Sequence, residues 1–110
     1  MCQNCVVAFI DEAQDLSPIQ WKMCSEIIKN SKYVILAGDD DQAIYGWAGA
    51  DVKKFQNIES KKNIILPQSF RVPQSVQYIA DKILDRIPDL KRVRKQWKAR
   101  DEQGYIEHIT

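Results

Sequence analysis

The sequence predicts an α/β fold, a parallel sheet with flanking helices. Two continuous runs of β-branched, aromatic and aliphatic residues each stop at acidic residues, as buried parallel strands do at their C-terminal ends. A helix signal with its own start cap lies between them, and strand and helix continue to alternate further along. With 110 residues, 45% of them hydrophobic, and only four Gly and four Pro, the chain has room for a small packed core and is neither disordered nor collagen-like.

The first strand is expected at residues 5–10 (CVVAFI), stopping at Asp11-Glu12. Ser17-Pro18-Ile19-Gln20 has the form of a capping box, with Pro at the first helical position and Gln three residues after the cap. The helix that follows presents Leu16, Ile19, Met23, Ile27 and either Cys24 or Ile28 to the sheet and ends at Asn30-Ser31. A second strand, residues 33–37, ends at Gly38 and the triplet Asp39-Asp40-Asp41 and should pair in parallel with the first. Asp51 caps a short helix with Val52, Phe55 and Ile58 inward, and residues 63–66 make a third strand stopped by Pro67. From Pro73 onward, Val76, Ile79, Ala80, Ile83, Leu84 and Ile87 form the inner face of a helix ending before Pro88. Residues 105–109 read as a last strand containing His108, the only histidine, in a structural role.

Net charge is +1, but residues 1–60 hold five Lys/Arg against nine Asp/Glu, and residues 61–110 hold eleven against six. An acidic half beside a basic one suits a metal or phosphate site next to a polyanion surface. No run of eighteen apolar residues and no basic-then-apolar leader occurs, so a cytoplasmic protein with no membrane partner is expected. Three cysteines do not make a disulfide framework. Cys2 and Cys5 have CxxC spacing, but that supplies only two ligands, and no metal is assigned there. The aspartate triplet is read as a turn and helix cap, because three successive residues do not easily converge on one ion.

An apolar run ending in Asp-Glu is by itself a weak signal, equally that of a strand tip with two solvated carboxylates. The set is far more specific: FIDEAQD at residues 9–15, GDDDQAIYGWAGAD at 38–51 and LPQSFR at 66–71. In this order and spacing they resemble motifs II, III and IV of superfamily 1 DNA helicases of the UvrD/Rep type. Gln68-Ser69-Phe70-Arg71-Val72-Pro73, with Lys95-Gln96-Trp97 and Gly104 beyond, is most similar to viral and phage-type members.

The resemblance implies a partial RecA-like (P-loop NTPase) sheet lacking the phosphate-loop strand, with residues 1–67 the C-terminal half of one RecA-like domain and 68–110 the beginning of a second. It implies ATP and Mg²⁺ as cofactors, with Asp11 on the metal and Glu12 as general base for water attack on the γ-phosphate. Gln42 senses that phosphate, Arg71 reaches it as an arginine finger, and Phe70, where the family usually has Tyr, stacks on adenine. Tyr45 and Trp47 stack single-stranded DNA bases. Ala48 stands where many relatives have Arg, and Gln14 and Asp15 couple the ATP and DNA sites. Basic residues 91–100 can touch a DNA backbone, or form a solvated basic face.

The expected partners are single-stranded DNA, duplex junctions and the rest of a helicase chain. None of the four glycines is followed by Lys, so no GxxxxGK[ST] loop is present, and the isolated chain is expected not to hydrolyse ATP. The alternative is a stand-alone single-stranded DNA-binding module. Without the phosphate-loop strand, residues 63–66 should either close directly on residues 33–37 or leave a gap that a second copy fills as a dimer.

Overall fold

Val7–Ile10 (β1) and Tyr33–Leu36 (β2) pair in parallel, with Val7 opposite Tyr33 and Ile10 opposite Leu36, as the sequence leads one to expect. The computed structural model describes residues 6–109 and divides into two units, Met1–Glu59 and Ser60–Thr110.

In the first unit the crossover between the strands is Pro18–Lys29 (α1), whose start is the capping box read from the sequence: Ser17 Oγ accepts from Gln20 N, and Gln20 Oε1 accepts from Ser17 N. Asn30 ends it. The buried face differs from the expected stripe. Trp21 is buried, with Cys24, Ser25 and Ile28 half-buried beside it, whereas Ile19, Met23 and Ile27 are exposed. Both stripes are apolar, so periodicity does not choose between them. The indole has the larger area to bury, and Ser25 shares its face at no polar cost because its hydroxyl donates to Trp21 O.

The strands are also more open than continuous apolar runs imply. Ala8 is buried, but Val7, Phe9, Tyr33 and Ile35 are all more than half exposed, at 53%, 64%, 56% and 51%. In a parallel pair these four alternate residues share one face. The sheet has only two strands among the described residues, so that face is left uncovered within the unit. Val52–Gln56 (α2) completes the unit, capped by Asp51 Oδ1 accepting from Lys54 N, with Val52, Phe55 and Ile58 half-buried as expected.

The second unit is built on Gln74–Leu84 (α3). Its first amides are satisfied by backbone from residues near the end of the chain: Gln74 N donates to Glu102 O and Ser75 N to Gln103 O. Val76, Ile79 and Ile83 are exposed, contrary to the expected inner face, while Ala80, Leu84 and Ile87 are half-buried. Residues 63–66 are not a strand, and neither are 105–109, which leaves His108 exposed in irregular chain. The expected pairing of residues 63–66 with β2 is not found: among the described residues the sheet holds β1 and β2 only. A four-residue apolar run is a strand only when a partner supplies its ladder, and Pro67 removes a donor at its end. Among the described residues, no helix is long and apolar enough to cross a membrane.

Candidate nucleotide and nucleic-acid site

At the C-terminal end of β1 the chain leaves the ladder sharply. Ala37 N donates to Ile10 O, and three residues further along Ala13 N donates back to Ala37 O. Fitting Asp11 and Glu12 between these anchors puts Glu12 at φ 51° and ψ 40°, the only left-handed non-glycine residue among those described. That conformation costs an L-residue roughly 1–2 kcal/mol and persists where neighbouring bonds over-determine it. Asp11 Oδ1 stabilises the bend by accepting from Glu12 N at 2.8 Å. Both carboxylates are exposed at the strand tip, where open α/β sheets bind ligands.

Behind them, Gln14 is 1% exposed and uses both ends of its amide. Nε2 donates to Glu12 Oε2 at 2.7 Å, and Oε1 accepts from Asp39 N at 3.0 Å. Asp39 Oδ2 in turn accepts from Gln42 Nε2 at 2.7 Å. Glu12, Gln14, Asp39 and Gln42 therefore form one hydrogen-bonded series joining the ends of two parallel strands. Gly38 is required by the close packing: a Cβ there would lie 2.7 Å from Gln14 Oε1 and 3.0 Å from Phe55 Cζ. Asp15 is half-buried, with Oδ1 buried and unpartnered.

Within the aspartate triplet Asp39 is the cap, its Oδ1 accepting from Asp41 N, while Asp40 Oδ2 accepts from the side-chain amide Nε2 of Gln56. One carboxylate oxygen from each also lies within 4.8 Å of the others, closer than three successive residues were expected to bring them. The 3₁₀ turn Asp40–Gln42 draws the side chains together.

Tyr45 and Trp47 flank Gly46 on a second 3₁₀ turn, Gly46–Ala48, closed by Gly49 at φ 95°. Their rings are 6.5 Å apart and tilted by 48°; Trp47 is 85% exposed and Tyr45 46%. Neither packs in a core, and Ile44 beside them is exposed too, an apolar contribution the motif reading missed.

Phe70 and Arg71 belong to the second unit. Ser69 Oγ accepts from both Arg71 N and Val72 N, a tight turn that leaves the Phe70 ring 86% exposed and Arg71 exposed beside it. The basic run is partly neutralised: Arg94 pairs with Asp89 at 2.6 Å and Asp85 at 3.1 Å, bonds that hold its guanidinium still more firmly protonated. Lys98 and Arg100 pair with Asp101 and Glu102. Cys2 and Cys5 lie outside the described residues.

The amide series could not be read from the sequence, because the bond from Asp39 N to Gln14 depends on where the second strand ends. Its one local trace is Gly38, immediately before Asp39.

Comparison with known proteins places the chain in a family. The model of the UvrD/REP helicase N-terminal domain matches residues 1–63. The chain is 32% identical over 98 residues to DNA helicase II of Haemophilus influenzae, covering 86% of this chain and 13% of that protein. It is 28% identical over 108 residues to the ATP-dependent DNA helicase PcrA of Staphylococcus epidermidis, covering 92% of this chain and 15% of the relative. For the PcrA of Leuconostoc citreum the identity is 29% over 109 residues, 92% of this chain and 14% of the relative. The chain thus spans well under a fifth of the curated relatives it matches. It belongs to the UvrD/REP helicase N-terminal domain family.

Proposed function

We propose that this chain is part of an ATP-dependent DNA helicase, in which it couples ATP hydrolysis to movement along single-stranded DNA and to duplex unwinding. The observation that carries the reading is the bonded series from Glu12 through Gln14 and Asp39 to Gln42, which links a strand-tip carboxylate to the neighbouring strand's end. The names of the relatives, ATP-dependent DNA helicase and DNA helicase II, support the same activity.

In this reading residues 1–67 belong to a first RecA-like domain and 68–110 open a second. Glu12 accepts a proton from the water that attacks the γ-phosphate; one carboxylate oxygen is engaged by Gln14, and the other is left for that water. Asp11 fits a magnesium site: it offers hard carboxylate oxygens at an exposed strand tip, only one of which has a role in the bend. Mg²⁺ bound there supplies charge neutralisation to the phosphates. Gln42, held by Asp39, contacts the γ-phosphate or the water. Arg71 adds charge stabilisation from the second domain, and Phe70 stacks on adenine. Trp47 and Tyr45 give single-stranded DNA a sequence-tolerant stacking surface, and translocation runs 3′ to 5′ as in the family. The pathway is DNA repair or replication.

The 110-residue chain alone does not turn over ATP, since it contains no phosphate loop to position the nucleotide. A DNA-stimulated ATPase assay on the complete protein, with and without Glu12→Gln, tests the reading: turnover is lost and nucleotide binding kept. Unchanged turnover would remove Glu12 from the chemistry. A second reading, a single-stranded DNA-binding module acting without ATP, is favoured by the exposure of Trp47. Quenching of Trp47 fluorescence by oligo-dT, with Trp21 and Trp97 replaced by Phe, in a protein without ATPase activity would select it.

A further inference from the structure

We propose that Gln14 is a positioning residue for the chemistry, orienting the Glu12 carboxylate and tying it to the end of β2; this rests on the reading of Glu12 as general base. Glu12 projects from an exposed bend on a flexible side chain, so its carboxylate would otherwise sample many orientations. One hydrogen bond to a buried partner removes that freedom, and Gln14, at 1% exposure, is such a partner.

The bond also has to carry a definite sense. Toward Glu12 the partner must donate, and toward Asp39 N it must accept. A side-chain amide offers both groups on one planar end without adding charge beside the carboxylate. The amide itself is boxed in, since even a methyl group on Gly38 would meet its oxygen at 2.7 Å. The left-handed backbone of Glu12 fits the same account: the bend is held by Ala13 N on Ala37 O, and the strain is retained where it aims the carboxylate.

The test uses the complete protein and two substitutions. Gln14→Met keeps length and removes both polar ends. Gln14→Glu keeps the acceptor for Asp39 N and sets a like charge against Glu12. Both should lower kcat by roughly 10- to 100-fold, the effect of misplacing a reacting group, with KM for ATP and the affinity for a non-hydrolysable ATP analogue unchanged. In a Glu12→Gln background, Gln14→Met should cost less than about twofold more, because its effect is routed through the missing carboxylate. Independently of activity, the Gln14 side-chain amide protons should exchange slowly with solvent and shift in the proton–nitrogen NMR spectrum on Glu12→Gln.

Undiminished kcat in both variants, a rise in KM with kcat intact, or an additive loss in the Glu12→Gln background would overturn the proposal. If Gln14→Met fails to fold, Gln14→Glu, which retains one of the two bonds, decides by the same readouts. Turnover lost with Glu12→Gln but kept with Gln14→Met overturns this proposal alone. Turnover kept with Glu12→Gln removes the reading of Glu12, and the proposal with it.

Discussion

In the first unit two extended segments hold each other through a backbone ladder, β1 on β2. In the second, residues 97–103 run beside residues 67–77 with a single isolated bridge, Gln68 to Lys98. What replaces the ladder there is a set of side-chain amides alongside a few backbone bonds. Gln77 donates to Trp97 O and accepts from Ala99 N, Gln68 Nε2 donates to the carbonyls of Lys98 and Ala99, and Gln74 donates to Asp101 O. Gln77 is thus the counterpart of Gln14, one amide donating and accepting across a gap in the chain. Gln14, though, has a carboxylate at one end where Gln77 has only backbone. The same device joins backbone to backbone in one unit and backbone to a carboxylate in the other.

The largest effect that would sharpen this contrast is on turnover. Glu12→Gln in the complete protein should lower kcat by about 10²–10⁴-fold, the usual contribution of a positioned general base, while Gln77→Met leaves kcat unchanged in steady-state ATPase assays. On stability the ranking reverses. Gln77→Met orphans Ala99 N and Trp97 O and should destabilise by about 2–4 kcal/mol, read from urea unfolding followed at Trp97. A loss under about 0.5 kcal/mol would mean that the backbone bonds alone hold residues 97–103.

Trp47 stands outside both amide frames. Trp47→Ala should weaken oligo-dT binding by about five- to hundredfold in a fluorescence anisotropy titration, since base stacking on an aromatic is worth roughly 1–3 kcal/mol. Its effect on unfolding should stay within about 0.5 kcal/mol because the ring is 85% exposed.

The smallest effect is the most diagnostic of the strained bend. Glu12→Gly and Glu12→Ala delete the same carboxylate, yet the glycine variant should be the more stable by about 1 kcal/mol in thermal unfolding, because φ 51° suits glycine and strains alanine. The usual order, alanine above glycine, would show that the left-handed bend does not persist in solution.

Much was legible in the residues alone. The capping box at Ser17, the Asp51 cap and the extended runs of β1 and β2 follow from local chemistry: a hydroxyl or carboxylate near free amides, and a β-branched run. The motif residues Asp11 and Glu12 were legible for the same reason, since a strand's end is marked where the apolar run stops.

What needed tertiary structure was every choice between equivalent local signals. Trp21 rather than Ile19, Met23 and Ile27 faces inward on α1, because two apolar stripes on one helix are told apart only by what packs against them. Residues 63–66 and 105–109 have strand-like composition and form no strand, because a strand exists only through a partner's hydrogen bonds. The amide of Gln14 becomes a link between Glu12 and Asp39 only once a 25-residue separation is closed by the parallel pairing of β1 and β2. Periodicity and caps are properties of neighbours in sequence. Burial, ladder pairing and the bridging amide depend on groups far apart in the chain, and those only the fold brings together.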